Sequence, residues 1–450
     1  MKDLVLLAID TAKQKGASYA DARIVRYRRQ HIACEDQRVS QLVDSEDWGI
    51  GVRVIADGAW GFAGSSVLTP EEVQRVAAEA VAIARASASA RNKPVQLAPE
   101  PVHQMSFRSA CEVDPFSVPV DTKVGLLLQI NQALLKHTGI KKANSYMLFK
   151  REERIFANTE GSLMDSIIYT TATGYTATAV GEGDARSRTY APPPMTKGYE
   201  NIHVEDLLNN TERVAQQALE HLKAPEVDDM VTDLVLDPLN LALTMHESVG
   251  HPSELDRALG YEESLAGRSF ATPDKLHKLQ YGSPIVNFVA DNTLPGGLAT
   301  QGFDDDGVEC QRWYIVKDGI FCGYSTSREV AAEIGMPRST GSTRADSWGS
   351  IPIVRQPNLS LMPGKQPLTP DELIADTKDG IYIEGMGSFS IDQMRQNFQF
   401  GGDAFWRIKN GKLVHMLKNV TYHSITEKFW NSCDAICAER FWVPNGALNC

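Results

Sequence analysis

Residues 237–256 of the chain read DPLNLALTMHESVGHPSELD. The stretch opens with Asp237-Pro238, which is typical of a helix start, because Asp can accept a bond from the first-turn N–H groups and Pro fits the first helical position. We predict a strand over residues 231–236 and a helix over residues 239–249. Glycine-punctuated short strands follow, so this stretch marks the start of a different, C-terminal half.

The string His246-Glu247-Ser248-Val249-Gly250-His251 carries the chemistry. Positions five apart on a regular α-helix point about 140° apart around the axis, so such a helix cannot turn both imidazole rings toward one ion. Widening the helix by one residue, as in a π-bulge, brings these positions back to one face, and ending the helix serves as well. Gly250 tolerates unusual backbone angles, and Pro252 disfavours the α region at His251. We therefore predict that His251 lies at a bulge or just beyond the last regular turn.

The two histidines are candidate zinc ligands. Neutral imidazoles suit Zn²⁺, and a catalytic site adds a third protein ligand while keeping one position for water, which zinc makes acidic enough to ionise near neutral pH. Glu247 would take the proton from that zinc-bound water and pass it to the departing amine. Glu254 and Asp256 could orient the histidine rings, or one of them could ligate the metal. The alternative is that His246 and His251 are structural histidines and the two acidic residues are solvated loop carboxylates.

The first 87 residues alternate helix and strand patterns and are predicted to form an α+β domain. Residues 4–15 read as a helix, residues 19–32 as a strand and residues 48–62 as a hairpin with one buried face. A second helix begins after Thr69, where Thr can cap, Pro occupies the first position and Glu at the third can reach back to the cap.

A linker and a second α+β domain are predicted next. Residues 88–119 are rich in Ser, Ala and Pro and form the predicted linker. Residues 120–224 form the predicted central domain, with a helix over 122–137 and strands over 145–157 and 166–179. Both units of the N-terminal half therefore show a helix beside antiparallel strands.

Residues 225–450 are predicted to be a mostly β, metal-binding domain. Hairpin turns are indicated at Lys317-Asp318-Gly319 and Lys409-Asn410-Gly411, and one short helix begins at Thr369. The predicted fold class is thus α+β, with an N-terminal half of two similar helix-plus-antiparallel-sheet units and a largely β C-terminal half.

Composition limits the function classes. A chain of 450 residues that is 42% hydrophobic and 23% charged is neither a mini-protein, a coiled coil nor a disordered regulator. Its net charge of −12 and its lack of a Lys/Arg block predict no direct nucleic-acid partner. The apolar stretch at residues 4–9 is too short for a signal peptide or a membrane span, so a cytoplasmic protein without membrane contact is predicted. The seven scattered cysteines are not typical of a disulfide scaffold.

The pattern His246-Glu247-x-x-Gly250-His251-x-x-Glu254-x-Asp256 resembles the signature of the TldD/PmbA family, zinc-dependent peptidases once labelled modulators of DNA gyrase. This string is specific. Weaker segments, persuasive in their order, are similar to the family's first domain and C-terminal landmarks: residues 19–64, Arg344-Ala345-Asp346-Ser347, Arg355-Gln356-Pro357-Asn358, Met362-Pro363-Gly364 and Glu384-Gly385-Met386-Gly387.

The resemblance implies the TldD type of subunit, because the PmbA/TldE partners lack the H-E-x-x-x-H string. It implies a third zinc ligand, a cysteine near the C-terminus that precedes Gly-Lys; Cys450, the last residue of this sequence, is the residue that matches. It also implies a homodimer, or a heterodimer with a PmbA/TldE-type paralogue, enclosing a cavity that admits peptides or unfolded proteins. We expect the substrate to add to a sheet edge as an extended strand.

Two other clusters contain residue types that bind metals. Cys433 and Cys437 are fallback ligands, since residues four apart share one face if residues 429–441 are helical, although buried thiols are commoner. Asp304-Asp305-Asp306-Gly307 lacks the alternating ligands of a calcium loop and is interpreted as an acidic turn.

The leading functional prediction is a zinc-dependent metallopeptidase that hydrolyses peptides or unfolded proteins. The alternative is a regulatory or binding subunit, of the gyrase-modulator type or a non-catalytic dimer partner, with structural zinc or none. Glu247 favours the peptidase, because a structural zinc site has no need of a carboxylate beside its first ligand.

Overall fold

The computed structural model describes residues 1–90, 93–181, 183–446 and 448. They form a mixed α+β fold, which confirms the predicted fold class. The helices are α1 (Lys2–Gln14), α2 (Pro70–Ser87), α3 (Val120–Leu135), α4 (Val204–Asn209), α5 (Thr211–Lys223), α6 (Pro238–Met245), α7 (Leu255–Leu259), α8 (Glu263–Ala266), α9 (Arg328–Glu333), α10 (Pro370–Asp376) and α11 (Thr426–Asn431). The strands are β1 (Tyr19–Glu35), β2 (Arg38–Ala56), β3 (Ala59–Ser65), β4 (Gln104–Arg108), β5 (Ile140–Asn158), β6 (Leu163–Gly181), β7 (Asp184–Tyr190), β8 (Asp233–Leu236), β9 (Phe288–Asp291), β10 (Arg312–Lys317), β11 (Ile320–Phe321), β12 (Thr343–Arg344), β13 (Ile353–Val354), β14 (Leu359–Leu361), β15 (Asp379–Glu384), β16 (Phe389–Ile391), β17 (Asn397–Gly401), β18 (Ala404–Lys409), β19 (Lys412–Leu417) and β20 (Thr421–Ile425).

The two helix-plus-sheet units of the N-terminal half share one seven-stranded sheet. Its order is β3-β2-β1-β5-β6-β4, with β7 also paired to β6. The units are joined because β1 pairs antiparallel with β5 over fifteen positions, from Asp21 opposite Asn158 to Glu35 opposite Asn144. Strand β4 lies inside the predicted linker and pairs parallel with β6. The division of the chain into domains at residues 87, 119 and 224 stays a prediction.

Helix α2 shows why the local sequence produces these elements. The Thr69 side chain accepts a bond from the Glu72 N–H, as the capping pattern predicts. The helix buries an apolar stripe that includes Val73 and Val76 against β2 and β3. It approaches β3 closely at Gly61, where a Cβ atom would lie 2.1 Å from the Ala80 carbonyl oxygen. A larger residue at that position would separate the helix from the sheet.

The described residues of the C-terminal half form four small sheets and short helices. Their strand orders are β11-β10-β9-β14, β12-β13, β19-β18-β15-β8 and β16-β17-β20. The turns predicted at residues 317–319 and 409–411 both form, with Asp318 and Asn410 at φ 49° and the glycine after each also in the left-handed region. No helix in the described part of the chain is both long and apolar enough to cross a membrane.

Buried ion pairs connect the two halves. Arg23 and Arg154, from the N-terminal sheet, both contact the Asp305 carboxylate, at 3.3 and 2.6 Å. Arg53 contacts Asp306 at 2.7 Å. The acidic turn predicted at residues 304–307 is therefore not solvated, because its carboxylates meet guanidinium groups of the sheet.

Candidate metal centre

Strand β8 leads directly into α6, whose start is fixed by Asp237. The Asp237 Oδ1 atom accepts bonds from the Asn240 N–H at 2.7 Å and the Gly385 N–H at 3.0 Å, and Pro238 occupies the first helical position. The cap is the one that the sequence predicts. The α-helical hydrogen bonding ends at Met245, earlier than the predicted residue 249.

A π-helical turn over His246–Gly250 replaces the end of the predicted α-helix. His251 begins a short 3₁₀ turn directly after it. The extra residue of the π turn brings positions five apart to one side, and the ring centroids of His246 and His251 lie 4.8 Å apart with an interplanar angle of 81°. The predicted departure from a regular helix between the two histidines is confirmed.

Gln356 supports the π turn from outside. Its Nε2 atom donates to the His246 carbonyl oxygen at 2.8 Å. The amide fits against Gly250, where a Cβ atom would lie 2.2 Å from the Gln356 Oε1 atom. Gly250 has an ordinary helical φ of −60°, so its role is close approach rather than the unusual backbone angle that the sequence suggested.

Potential donor atoms of His246, Glu247 and His251 lie within 4.8 Å of one another. Across the described residues this is the one such group of three or more His, Cys, Asp or Glu side chains. Burial lowers the pKa of His246 to about 3, and His251 acts in the same direction. The His246 ring is therefore neutral at physiological pH, the form that coordinates a metal, so the donor set fits a divalent ion such as zinc.

Glu254 holds the ring of His251. The Glu254 Oε2 atom lies 2.9 Å from His251 Nδ1 and also accepts from Arg257 Nη2 at 2.8 Å. Burial alone raises the pKa of Glu254, but His251 and Arg257 outweigh it and bring the pKa to about 2. Asp256 faces elsewhere, because its Oδ2 atom accepts from the Val354 N–H at 3.3 Å. Glu254 is thus placed to orient a histidine ring, which was one of the alternatives considered for the two acidic residues.

Arg395 contacts Glu247 and is a residue that sequence reasoning missed. Its Nη1 atom donates to the Glu247 Oε2 atom at 2.9 Å. It lies between β16 and β17, 148 positions along the chain from Glu247, and its backbone has a φ of 60°. No local sequence pattern indicates this contact, because its two partners come from distant parts of the chain.

A cavity of about 2170 Å³ adjoins the site. Its lining includes His246, Glu247 and His251 on one side and residues of the N-terminal sheet, such as Tyr27 and Lys150, on another. The histidines therefore face a chamber that both halves of the chain enclose.

The three cysteines that the sequence offers as metal ligands differ in where they lie. Cys450 lies outside the described residues, so its predicted ligand role stays a prediction. Cys433 and Cys437 line the cavity. Helix α11 ends at Asn431, so residues 429–441 do not form the continuous helix that would place both thiols on one face. Burial, with Asp434 nearby, raises the pKa of Cys433 to about 11, so this thiol stays protonated at neutral pH.

Three domain models of one metallopeptidase family match the chain. The model described as PmbA/TldA metallopeptidase domain 1 matches residues 20–84. The central-domain model matches residues 113–224, and the C-terminal-domain model matches residues 229–448.

Several curated relatives are similar over most of the chain. A metalloprotease of Methanocaldococcus jannaschii is 28% identical over 403 residues, which cover 89% of this chain and 85% of that protein. A metalloprotease of Synechocystis sp. is 27% identical over 437 residues, covering 96% and 90%. A zinc metalloprotease TldD homolog of Saccharolobus solfataricus is 24% identical over 449 residues, covering 97% and 93%.

Solved structures share the fold. The crystal structure of TldE from Thermococcus kodakarensis has a TM-score of 0.75 at 16% identity, and the match covers 97% of this chain and 94% of TldE. The crystal structure of a Thermotoga maritima protein, a candidate modulator of a DNA gyrase, has a TM-score of 0.78 at 16% identity, covering 95% and 93%.

Proposed function

Because the chain belongs to the PmbA/TldD metallopeptidase family, we propose that it is a zinc-dependent peptidase that hydrolyses peptides or unfolded proteins. The observation that carries the proposal is the convergence of His246 and His251 across the π turn, with the Glu247 carboxylate beside them. The proposed protein ligands are His246, His251 and, from the family resemblance, Cys450. Glu247 is the proposed general base.

Each side chain of the site has a distinct task in the proposed reaction. When bound, zinc supplies Lewis acidity, which polarises a peptide carbonyl and lowers the pKa of water. Glu247 accepts a proton from the attacking water, whose oxygen bonds to the carbonyl carbon, and delivers that proton to the amine nitrogen as the C–N bond breaks. Glu254 keeps the His251 ring in orientation. The reaction consumes one water and leaves a carboxylate and an amine.

The size of the cavity supports peptides and unfolded chains as the proposed substrates. A sphere of 2170 Å³ has a radius of about 8 Å, whereas a folded domain of 100 residues has a radius of gyration of about 13 Å. A folded protein does not fit in such a chamber, but an extended segment does. We propose that the segment adds to a sheet edge, with backbone hydrogen bonds providing affinity.

Metal analysis combined with a cleavage assay tests the proposal. We expect purified wild-type protein to hold about one zinc per chain and to cleave casein. Glu247→Gln should keep the zinc and lose at least about 100-fold in kcat, because the base is absent. The exposed Glu220→Gln is the matched control and should match the wild type. Zinc retained without wild-type cleavage would instead indicate the regulatory or binding subunit.

We also propose that the chain pairs with a second copy or with a TldE-type paralogue. The edge of β2 supports this pairing. Strand β3 pairs with β2 only over residues 50–56, and no described strand pairs with the outer edge of residues 38–48. The edge is exposed and carries apolar side chains at Val39, Leu42, Val43 and Trp48. A long open edge of this kind is a template for pairing with another strand.

The charges of this edge are self-complementary. In a symmetric antiparallel pair, facing residues must project from the same side of the sheet, so the sum of their numbers is even. Centring the pair on Leu42 places Arg38 of one copy opposite Glu46 of the other, and Leu42 opposite Leu42. Opposite charges and apolar pairs that face each other across strands are favourable.

Leu42→Lys tests the pairing. Two lysines would face each other at the centre of the interface, so we expect the dimer to dissociate at least about 10-fold more readily in light scattering over a concentration series. Ile83→Lys, another exposed apolar position but on α2, is the matched control and should stay dimeric. A Leu42→Lys protein that dimerises as the wild type does would contradict this interface.

A further inference from the structure

The Glu247 carboxylate is close enough to the histidines to coordinate the same ion, instead of acting as a proton acceptor. Its oxygen lies within 4.8 Å of the potential donor atoms of both His246 and His251. Carboxylate oxygens are ordinary zinc ligands, so such a group can coordinate the ion directly. A carboxylate that coordinates the ion has a lone pair committed to it and is a poorer proton acceptor. The proposed function therefore requires something that keeps Glu247 off the metal.

Arg395 is the cation that contacts this carboxylate. Its Nη1 atom donates to Glu247 Oε2 at 2.9 Å, and its Nη2 atom donates to the Ala266 carbonyl oxygen at 3.2 Å. The Arg395 side chain is 16% exposed and that of Glu247 is 7% exposed. Water screens a pair in this setting only weakly, so the guanidinium competes effectively for the carboxylate.

The position of Arg395 is fixed by contacts around it. The turn between β16 and β17 receives backbone bonds from two neighbouring positions, Arg268 N–H to the Gln393 oxygen at 2.7 Å and Phe270 N–H to the Met394 oxygen at 2.9 Å. Gly267 lies against the same turn, where a Cβ atom would lie 2.3 Å from the Gln393 oxygen. Arg395 itself adopts a φ of 60°, which side-chain-bearing residues rarely adopt. Such a conformation persists where the surroundings over-determine it.

We propose that Arg395 is a positioning residue that holds the Glu247 carboxylate away from the ion bound by His246 and His251. Glu247 then stays a proton acceptor instead of becoming a ligand. The inference rests on the proposed function, in which Glu247 is the general base. The competition between guanidinium and ion for one carboxylate does not depend on turnover, so it can be measured without cleavage.

Zinc affinity provides the direct test. In Arg395→Gln the carboxylate is released toward the ion, so we expect zinc to bind about 10-fold more tightly in competition with a chromophoric chelator at fixed pH. The Co²⁺ form should show a changed visible spectrum, because an added oxygen ligand changes the coordination geometry. Arg395→Lys keeps a cation and should stay within about 3-fold of the wild type.

A double-variant cycle isolates the role of Glu247. If Arg395 acts on the metal through Glu247, Arg395→Gln should change zinc affinity in the wild-type background and leave it unchanged in Glu247→Gln. Arg268→Gln, an exposed arginine on the neighbouring segment, is the matched control and should leave zinc affinity unchanged. Zinc affinity that is unchanged or weaker in Arg395→Gln, or that changes equally in both backgrounds, would overturn the proposal.

A cleavage assay is a second measurement, and it distinguishes failure of the proposed function from failure of the proposed role of Arg395. For an active wild type, we expect Arg395→Gln to lower kcat while KM changes little, because the base is withdrawn and the substrate contacts remain. Wild-type protein that binds zinc but cleaves nothing would end the proposed function, whereas the zinc measurements would still decide the role of Arg395. Arg395→Met, which removes the same charge and keeps a long side chain, replaces Arg395→Gln in the zinc measurements if Arg395→Gln does not fold, with the same expected result.

Discussion

Two neighbouring carboxyl groups beside the histidines have pKa values that are shifted in opposite directions. His251 and Arg257 overcome the effect of burial on Glu254 and hold its pKa near 2. Burial raises the pKa of Asp256 to about 7, and the charges of Glu254 and Glu262 add to the rise. Asp256 therefore carries a proton in the folded protein at pH values where a solvated carboxyl group has lost it.

We expect Asp256→Asn to change the pH dependence of stability. A folded-state pKa of about 7, above the ordinary 3.8, gives a stabilisation that is complete below about pH 4 and is lost as the pH rises to 7. Asn resembles the protonated form and does not ionise. The free energy of unfolding of the variant should equal that of the wild type near pH 4 and exceed it at pH 8 by up to about 4 kcal/mol.

Urea denaturation between pH 4 and pH 8 measures this difference. The exposed Asp10→Asn is the control and should follow the wild type throughout. Parallel curves for Asp256→Asn and the wild type would show that burial does not shift this carboxyl group.

The π turn is the element on which the site depends. It accommodates one more residue per turn than an α-helix, and Gln356 contacts it at the His246 carbonyl. Gly250 makes room for that amide. The geometry of the histidines is therefore linked to a side chain from the loop that follows β13.

Gly250→Ala should disturb this turn by collision. Its φ of −60° suits alanine, but the new methyl group would lie 2.2 Å from Gln356 Oε1. We expect a loss of about 1 to 3 kcal/mol in the free energy of unfolding and at least about 10-fold weaker zinc binding. Isothermal titration with zinc, together with urea denaturation, measures both.

Two further variants separate collision from helix propensity. Gly125→Ala lies in α3 with no heavy atom within 4 Å of the new Cβ, so it should be neutral or stabilising. Gln356→Ala removes the collision partner together with its bond to the His246 carbonyl, so Gly250→Ala should cost less stability in the Gln356→Ala background than in the wild type. An equal cost in both backgrounds would mean that the methyl group acts elsewhere.

At the scale of the whole molecule, buried charges connect the halves that enclose the cavity. Two guanidinium groups of the N-terminal sheet, those of Arg23 and Arg154, share the carboxylate of Asp305. All three side chains are at most 6% exposed. Removing one partner of a buried pair is costly, because it leaves the opposite charge in a medium that solvates it poorly.

Asp305→Ala should therefore lower the free energy of unfolding by about 3 to 5 kcal/mol. Glu79→Ala breaks an ion pair at the surface, with Arg75, and should cost no more than about 1 kcal/mol. Urea denaturation followed by fluorescence and circular dichroism measures both variants. Equal, small losses would show that the buried network contributes little to holding the halves together.

Local chemistry in the sequence predicted much of this fold. The caps at Thr69, Asp237 and Thr369 form because a helix start is decided within four residues. The five-residue spacing of the histidines predicted either a π-bulge or an ended helix, and the π turn is the first of these. The family resemblance is confirmed by the three domain models. The contact of Arg395 with Glu247 was not predictable, because residues 148 apart share no local pattern. The same holds for β4 and for the pairing of β1 with β5, which depend on long-range strand partners.

The extra residue of the π turn also relates this turn to the H-E-x-x-H helices that bind zinc. Deleting one codon between Glu247 and His251 would leave the histidines four positions apart, the spacing that an ordinary α-helix turns to one face. The two spacings, which do not align in a pattern search, therefore differ by a single deletion. A genome scan that allows a single optional residue after the glutamate would collect both kinds of helix together.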